Sequence, residues 1–293
     1  MNKKKKEYII YLILRGCAFL TILTTIGIVT VLLSESLTFF KNVSFWSFIS
    51  DTEWTPLFAN KHYGIAPLVS GTLLTTVIAL SVAVPIGLII AIYLSEYASD
   101  RFRSVIKPVL EILAAVPTVV YGFFALMFVT PFLQLFIPSL AGFNSLSAGL
   151  VMGIMIIPYV SSLSEDALSA VPSSLRQASY GLGASKFQTS FKVVFPAAAS
   201  GVTVAVILAL SRAIGETMIV SIAAGQQPRL TANPLVPIET ITGYIVQVCM
   251  GDVPHGSIEY RTIFVAGLTL FFITYLLNNI SYFLKQKYQE QYD

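Results

Sequence analysis

The chain has 293 residues, of which 55% are hydrophobic and only 11% are charged. A soluble domain needs more charged surface than this, so the composition excludes an ordinary soluble protein. The small net charge of +3 does not suggest nucleic-acid binding, and two cysteines and two histidines, far apart in sequence, predict neither a disulfide framework nor a metal or cofactor site.

Long apolar runs predict about six transmembrane helices, because runs of roughly 18 apolar residues can cross a bilayer. The first run follows Lys3–Lys6, and its uncharged part is too long for a signal peptide and lacks a cleavage site, so we expect a retained anchor. The third run contains Pro117 and Pro131 and should be kinked or end early. The predicted spans are residues 9–33, 68–94, 109–136, 146–164, 201–224 and 262–284.

Lysine and arginine residues predict the orientation, because cytoplasmic loops are enriched in both. With the N-terminus inside, 13 of the 18 lie in inside segments, four lie outside, and Arg212 falls within a span. We therefore expect an all-α integral membrane protein with both termini in the cytoplasm. Residues 1–66 should form an anchor helix and an extracytoplasmic segment, and residues 67–287 the transmembrane core.

Two long segments, residues 34–67 and 225–261, are predicted to lie outside. The first contains Trp46 and Trp54, which suggest an interfacial anchor, a docking surface for an outside partner, or both. The second contains the apolar stretch 238–250, which predicts a short helix at or within the membrane surface.

The inside loop at about residues 165–200 carries strong local signals. Ser174 with Gln177 and Ser185 with Gln188 both fit a capping box, in which each side chain satisfies an amide at a helix start. Gly181 and Gly183 lie between the two starts, where a turn needs glycine. The loop is therefore predicted to be two short helices around a turn.

This loop resembles the motif of ABC importer permeases, which reads Glu-Ala-Ala, three residues, Gly, nine residues, and Ile-x-Leu-Pro. The spacing is intact here, and the residues at the principal positions are Gln177, Ala178, Ser179, Gly183 and Pro196. Glutamine replaces the charged residue of the motif. The resemblance implies a loop that docks on an ATPase subunit. The chain has no Gly-x4-Gly-Lys-Ser/Thr motif of its own, so a partner must hydrolyse ATP.

Arg212 and Glu216 are four residues apart within the fifth predicted span, a spacing that places them on one face of a continuous helix. Charged residues at membrane depth face a cavity or a partner and are candidates for function. An arginine fork suits an oxyanion. The alternative is a structural salt bridge, or a Glu216 that only neutralises Arg212.

Residues 211–217, which include both charges, resemble the signature of phosphate-specific ABC permeases, and residues 110–122 and 256–261 resemble two other segments of that family. The resemblance covers nearly the whole chain from about residue 64 and favours the C-type (PstC-like) subunit. It implies a type I (MetI-like) importer fold in the bacterial cell membrane. It also implies a pathway through Arg212 and Glu216, and four kinds of partner besides membrane lipid: a homologous PstA-like permease, two ATPase subunits, an extracytoplasmic phosphate-binding protein and inorganic phosphate.

Three other functions remain possible at this level. A permease for sulfate or molybdate has the same general features. A secondary transporter or channel needs no docking loop, which makes it a weaker hypothesis. A membrane enzyme needs a cluster of ionisable residues or metal ligands near one interface, and the sequence has none.

Overall fold

The computed structural model describes residues 3–288, except for the side chains of residues 3–6, 9, 281 and 284–288. Lys3–Lys6, Lys285 and Lys287, which the orientation prediction counted as inside residues, lie outside the described side chains. Helices dominate, and no strand forms within 3–288. The helices are α1 Lys3–Phe40, α2 Phe45–Ser50, α3 Ala66–Ile92, α4 Asp100–Ala115, α5 Thr118–Phe124, α6 Thr130–Gln134, α7 Ser145–Ser169, α8 Ser173–Gly181, α9 Lys186–Thr189, α10 Phe195–Ala197, α11 Ala199–Ile214, α12 Met218–Ala223, α13 Ile241–Met250 and α14 Ile258–Tyr288.

Four helices are long and apolar enough to cross a membrane: Ile10–Phe40, Ala66–Tyr97, Ser145–Ser169 and Ile258–Ile280. Two further candidates are bent. They are Asp100–Ala115 with Thr118–Gln134, at 83°, and Lys186–Ala197 with Ala199–Ile214, at 71°. Counting each bent pair as one span gives the six predicted spans.

The bend in the third span confirms the kink predicted at Pro117. Val116 is extended at φ −60° and ψ 131°, because the residue before a proline is pushed out of the α region. Pro117 then caps α5. Further along, Ala125–Val129 forms a π-helical turn before α6.

The fifth predicted span, residues 201–224, is wrong as a continuous helix. The helical path begins at Lys186, bends before Ala199 and ends at Ile214. A tight turn follows, in which the Glu216 amide donates to the Ala213 carbonyl at 3.2 Å, and α12 begins only at Met218. The break matters because it falls between the two charges that the sequence placed on one face.

The centre of the core is the close pair α3 and α7. A Cβ at Gly149 would lie 2.7 Å from Ile78, and one at Gly153 would lie 2.8 Å from the Ala79 carbonyl. Only glycine allows this approach, as the small-x3-small spacing predicts. In contrast, the apolar window of α1 has no buried residue in the single chain. Near its outer end, Glu35 lies 3.2 Å from Arg261 of α14.

The outside segments pack together, so Trp54 is not an interfacial anchor. Its side chain is 1% exposed, and its ring lies edge-on to Tyr244 of α13 with centroids 5.0 Å apart. Trp46 is 75% exposed, so its interfacial position stays a prediction. The short helix predicted at 238–250 is confirmed as α13.

Candidate functional site

Arg212 lies in the last turn of α11 with an exposed side chain. Arg212 lies 13 residues after Ala199, the first residue of α11, which places it about 20 Å along the helix axis from that residue. Within residues 3–288, no ion pair involves its guanidinium. A free cation at this depth needs water, an anion or a partner subunit.

Glu216 has a different role from the one its spacing predicted. It follows the end of α11, it is 4% exposed, and its Oε1 accepts hydrogen bonds from the backbone amides of Met218 at 3.2 Å and Ile219 at 3.4 Å. The carboxylate thus caps α12. Its backbone carbonyl accepts a 2.6 Å hydrogen bond from the Thr242 hydroxyl at the start of α13.

The two charges therefore do not share one helix face, and they form no salt bridge. The helix break turns Glu216 back toward the amides of α12, whose positive end favours a carboxylate. The shared-face prediction is therefore wrong, and so is a salt bridge between Arg212 and Glu216 themselves. Within residues 3–288, Arg212 therefore has no carboxylate partner.

The helical loop, residues 173–197, has the predicted architecture with one correction. The Ser185–Gln188 capping box is present: the Gln188 amide donates to Ser185 Oγ at 3.3 Å, and the Ser185 amide donates to Gln188 Oε1 at 2.9 Å. The Ser174–Gln177 box is not formed, because α8 begins at Ser173, two residues before the start that a Ser174 cap requires, with Pro172 in the cap position and no side-chain cap.

The motif positions divide between the loop surface and its interior. Gln177, Ala178, Gly183 and Pro196 are exposed, whereas Ser179 is buried and its hydroxyl lies 2.9 Å from that of Thr189. This buried hydrogen bond joins α8 to α9. At the tip between the helices, Leu182 is 90% exposed.

Sequence reasoning missed the side chain that holds this loop against the membrane core. Arg176 of α8 donates to Glu96, which follows α3, with its Nη2 at 2.7 Å from Glu96 Oε1. The same guanidinium donates to the carbonyls of Leu168 at 2.8 Å and Val171 at 2.5 Å, at the end of α7. One arginine thus links the loop to both central helices.

A second ionic cluster lies at the same end of α7. Glu165 is 2% exposed, and its carboxylate lies 2.5 Å from Lys107 Nζ and 3.5 Å from Arg103 Nε, both on α4. Arg103 also donates to the carbonyls of Leu94 and Ser95. The bent third span is thereby fixed to the ends of α3 and α7. No local spacing could have predicted contacts so distant in sequence.

Gly183 has φ +81° with open space around it. Glycine is therefore needed at this position for its backbone conformation and not because a side chain would lack space. We expect Gly183→Val to insert normally but to weaken ATPase docking roughly tenfold, because a β-branched residue in the left-handed region costs about 1–2 kcal/mol. Co-purification of the ATPase subunit, normalised to inserted permease, measures the effect. Gly183→Asn is the matched control, since asparagine tolerates this φ; equal losses in both variants would show that bulk, not strain, is responsible.

The broken spans, the close pair α3 and α7 and the capped helical loop define an ABC importer permease. The fold is similar to that of a solved bacterial ABC transporter involved in alginate import, with a TM-score of 0.65 and 13% identity over 98% of both chains. It is also similar to that of the MetNI methionine ABC transporter, with a TM-score of 0.56 and 16% identity over 78% of this chain and 95% of the other.

The chain belongs to the binding-protein-dependent transport system inner membrane component family, which matches residues 83–291. The probable ABC transporter permease protein YqgH of Bacillus subtilis is 34% identical over 94% of this chain and 89% of its own length. The phosphate transport system permease protein PstC of Mesorhizobium japonicum is 32% identical over 92% of this chain and 87% of its own length. The protein is therefore a multi-pass transport permease of the bacterial cell membrane with the MetI-like fold.

Proposed function

We propose that this chain is the permease subunit of an ATP-driven phosphate importer and forms half of the translocation pathway. The observation that carries the proposal is Arg212, an arginine at membrane depth with no carboxylate partner in the described chain. Its surrounding residues match the phosphate-permease signature, and several relatives of 31–34% identity are named PstC.

The chemistry supports an anion at Arg212. Phosphate carries between one and two negative charges near neutral pH, and moving it into the membrane without a positive group costs a large desolvation free energy. The arginine fork can donate two parallel hydrogen bonds to phosphate oxygens. Because Glu216 faces α12, its charge does not compete at close range for the guanidinium.

The helical loop is proposed to dock on the ATPase. Its tip exposes Leu182, Gln177 and Ala178, and Arg176 ties it to the ends of α3 and α7. Motion of the bound ATPase would therefore reach the central helices through one rigid connection. The full importer would contain a PstA-like permease, two ATPase subunits and an extracytoplasmic phosphate-binding protein.

Phosphate uptake by the reconstituted transporter tests the proposal. We expect ATP-dependent uptake of radiolabelled phosphate that requires the binding protein and is not reduced by equal concentrations of sulfate or molybdate. Competition by either oxyanion at the same concentration would indicate a different substrate. Uptake without the ATPase subunits would indicate a secondary transporter.

A further inference from the structure

A cavity of about 380 Å³ lies between the two long outside segments. Residues 54–58 of the first segment form one wall, and residues 226–228 of the second form another. Tyr244 and Gln247 of α13 complete the lining. The distribution of lysine and arginine assigns both segments to the outside, so the cavity opens on the extracytoplasmic face. Nothing in the proposed transport route uses it.

The lining includes a buried carboxyl group without a partner. Glu239 is 2% exposed, and its Oε1 has no hydrogen-bond partner in the described part of the chain. Three of the four outside lysine and arginine residues are engaged elsewhere. Lys61 and Arg261 form ion pairs with other carboxylates, and Arg229 donates to an amide oxygen. Among the described side chains, no cation forms an ion pair with this buried acid.

Burial without a nearby cation disfavours the ionised form of a carboxyl group. Burial raises the pKa of Glu239 to about 8, because ionisation away from water costs free energy unless a donor or cation is close. A cationic group placed in the cavity would remove that cost. An anion would instead meet either the negative charge of ionised Glu239 or the single hydrogen-bond donor of its protonated form. Phosphate is therefore a poor occupant.

The walls and the rim favour a cationic side chain of a protein over a free ion. Trp54 and Tyr244 supply aromatic walls, on which a guanidinium or ammonium group can stack. Leu57 and Phe58, which also line the cavity, are 40% and 65% exposed, and a protein surface would cover them whereas a small cation would not. A metal ion is also disfavoured, since no cluster of three metal-ligating side chains occurs in the described residues.

We propose that this cavity receives a lysine or arginine side chain of the extracytoplasmic binding protein and that Glu239 is its counter-charge. The inference rests on the proposed function, which supplies the binding protein as partner. It adds a specific docking contact: a buried ion pair surrounded by an apolar rim that excludes water. Removing one partner of such a pair weakens binding strongly, because the other charge is then left buried and unpaired.

The complete transporter in nanodiscs, with its binding protein loaded with phosphate, provides the test. ATPase activity is measured as a function of binding-protein concentration. In Glu239→Gln we expect the half-saturating concentration to rise roughly tenfold or more, with an unchanged maximal rate, because the charge on one side of a buried pair is lost. Glu239→Asp keeps the charge and should give an intermediate value. Glu53→Gln is the matched control: Glu53 lies in the same outside segment with 64% of its side chain exposed, so its loss should change half-saturation less than twofold.

The outcomes separate this inference from the function on which it rests. An unchanged half-saturating concentration in Glu239→Gln would overturn the docking contact while leaving the importer intact. A lower maximal rate at unchanged half-saturation would place Glu239 in transport and also overturn it. If the wild-type transporter shows no stimulation by the binding protein, both proposals fail together.

Discussion

Replacing Arg212 by glutamine is expected to abolish phosphate uptake while leaving the assembled transporter intact. The side chain is exposed and forms no ion pair within residues 3–288, so its removal breaks no intrachain contact of that kind. Stability should fall by only about 0.3–1 kcal/mol, the usual contribution of a cation to the last turn of a helix. Two lost charge-assisted hydrogen bonds, at about 1.5–3 kcal/mol each, should lower uptake roughly 100-fold or more.

Radiolabelled phosphate uptake, normalised to assembled complex, measures this loss. Arg212→Lys should recover part of the activity, because a point charge lacks the planar fork. Arg229→Gln is the matched control, since it removes an exposed outside arginine that contacts only an amide and should leave uptake within about twofold. Normal uptake in Arg212→Gln would remove Arg212 from the anion route.

The structure changes what Glu216 variants should do. Glu216→Gln retains an acceptor oxygen for the amides of Met218 and Ile219, so we expect it to assemble. Glu216→Ala loses the cap and should reduce the amount of assembled complex, because losing such a cap costs about 1 kcal/mol. A role of this kind is structural, in contrast to the neutralising role that the four-residue spacing implied.

Replacing Arg176 by alanine is expected to have an effect of similar size through a different cause. The substitution leaves the Glu96 carboxylate, whose side chain is 4% exposed, without its cation. Breaking a buried ion pair by removing one partner costs about 3–5 kcal/mol. It also frees the carbonyls of Leu168 and Val171, so α8 loses its side-chain hydrogen bonds to the ends of α3 and α7. We expect coupled uptake to be lost and ATPase retention to fall.

Three measurements on one set of variants test this connection: phosphate uptake, co-purified ATPase subunit and thermal stability of the complex. Glu96→Gln should be milder, since Arg176 keeps its two bonds to carbonyls. Arg101→Ala is the control, because Arg101 is an exposed arginine on α4 that forms no ion pair among the described side chains. Fully coupled uptake in Arg176→Ala would show that motion reaches the core by another route.

The predictions that succeeded depend on contiguous residues. Apolar run length determines whether a helix can span the bilayer, so the number of spans follows from composition alone when each bent pair is counted once. Pro117 bends the third span through its own backbone, and Gly183 and Ser185 define a turn and a cap within a few residues.

Sequence alone therefore determined the class of protein, the number of its spans and the presence of a capped helical loop. Tertiary structure decided which charges meet. The break at Gly215 directs Glu216 to α12 instead of Arg212, although a continuous apolar run gave no sign of it. Arg176 contacts Glu96, 80 residues earlier in the sequence, because α3 and α7 pack together and bring their cytoplasmic ends into contact. Hydropathy and helix propensity act along the chain, whereas the partner of a buried charge is set by packing between distant segments, and so it could not be inferred from local spacing.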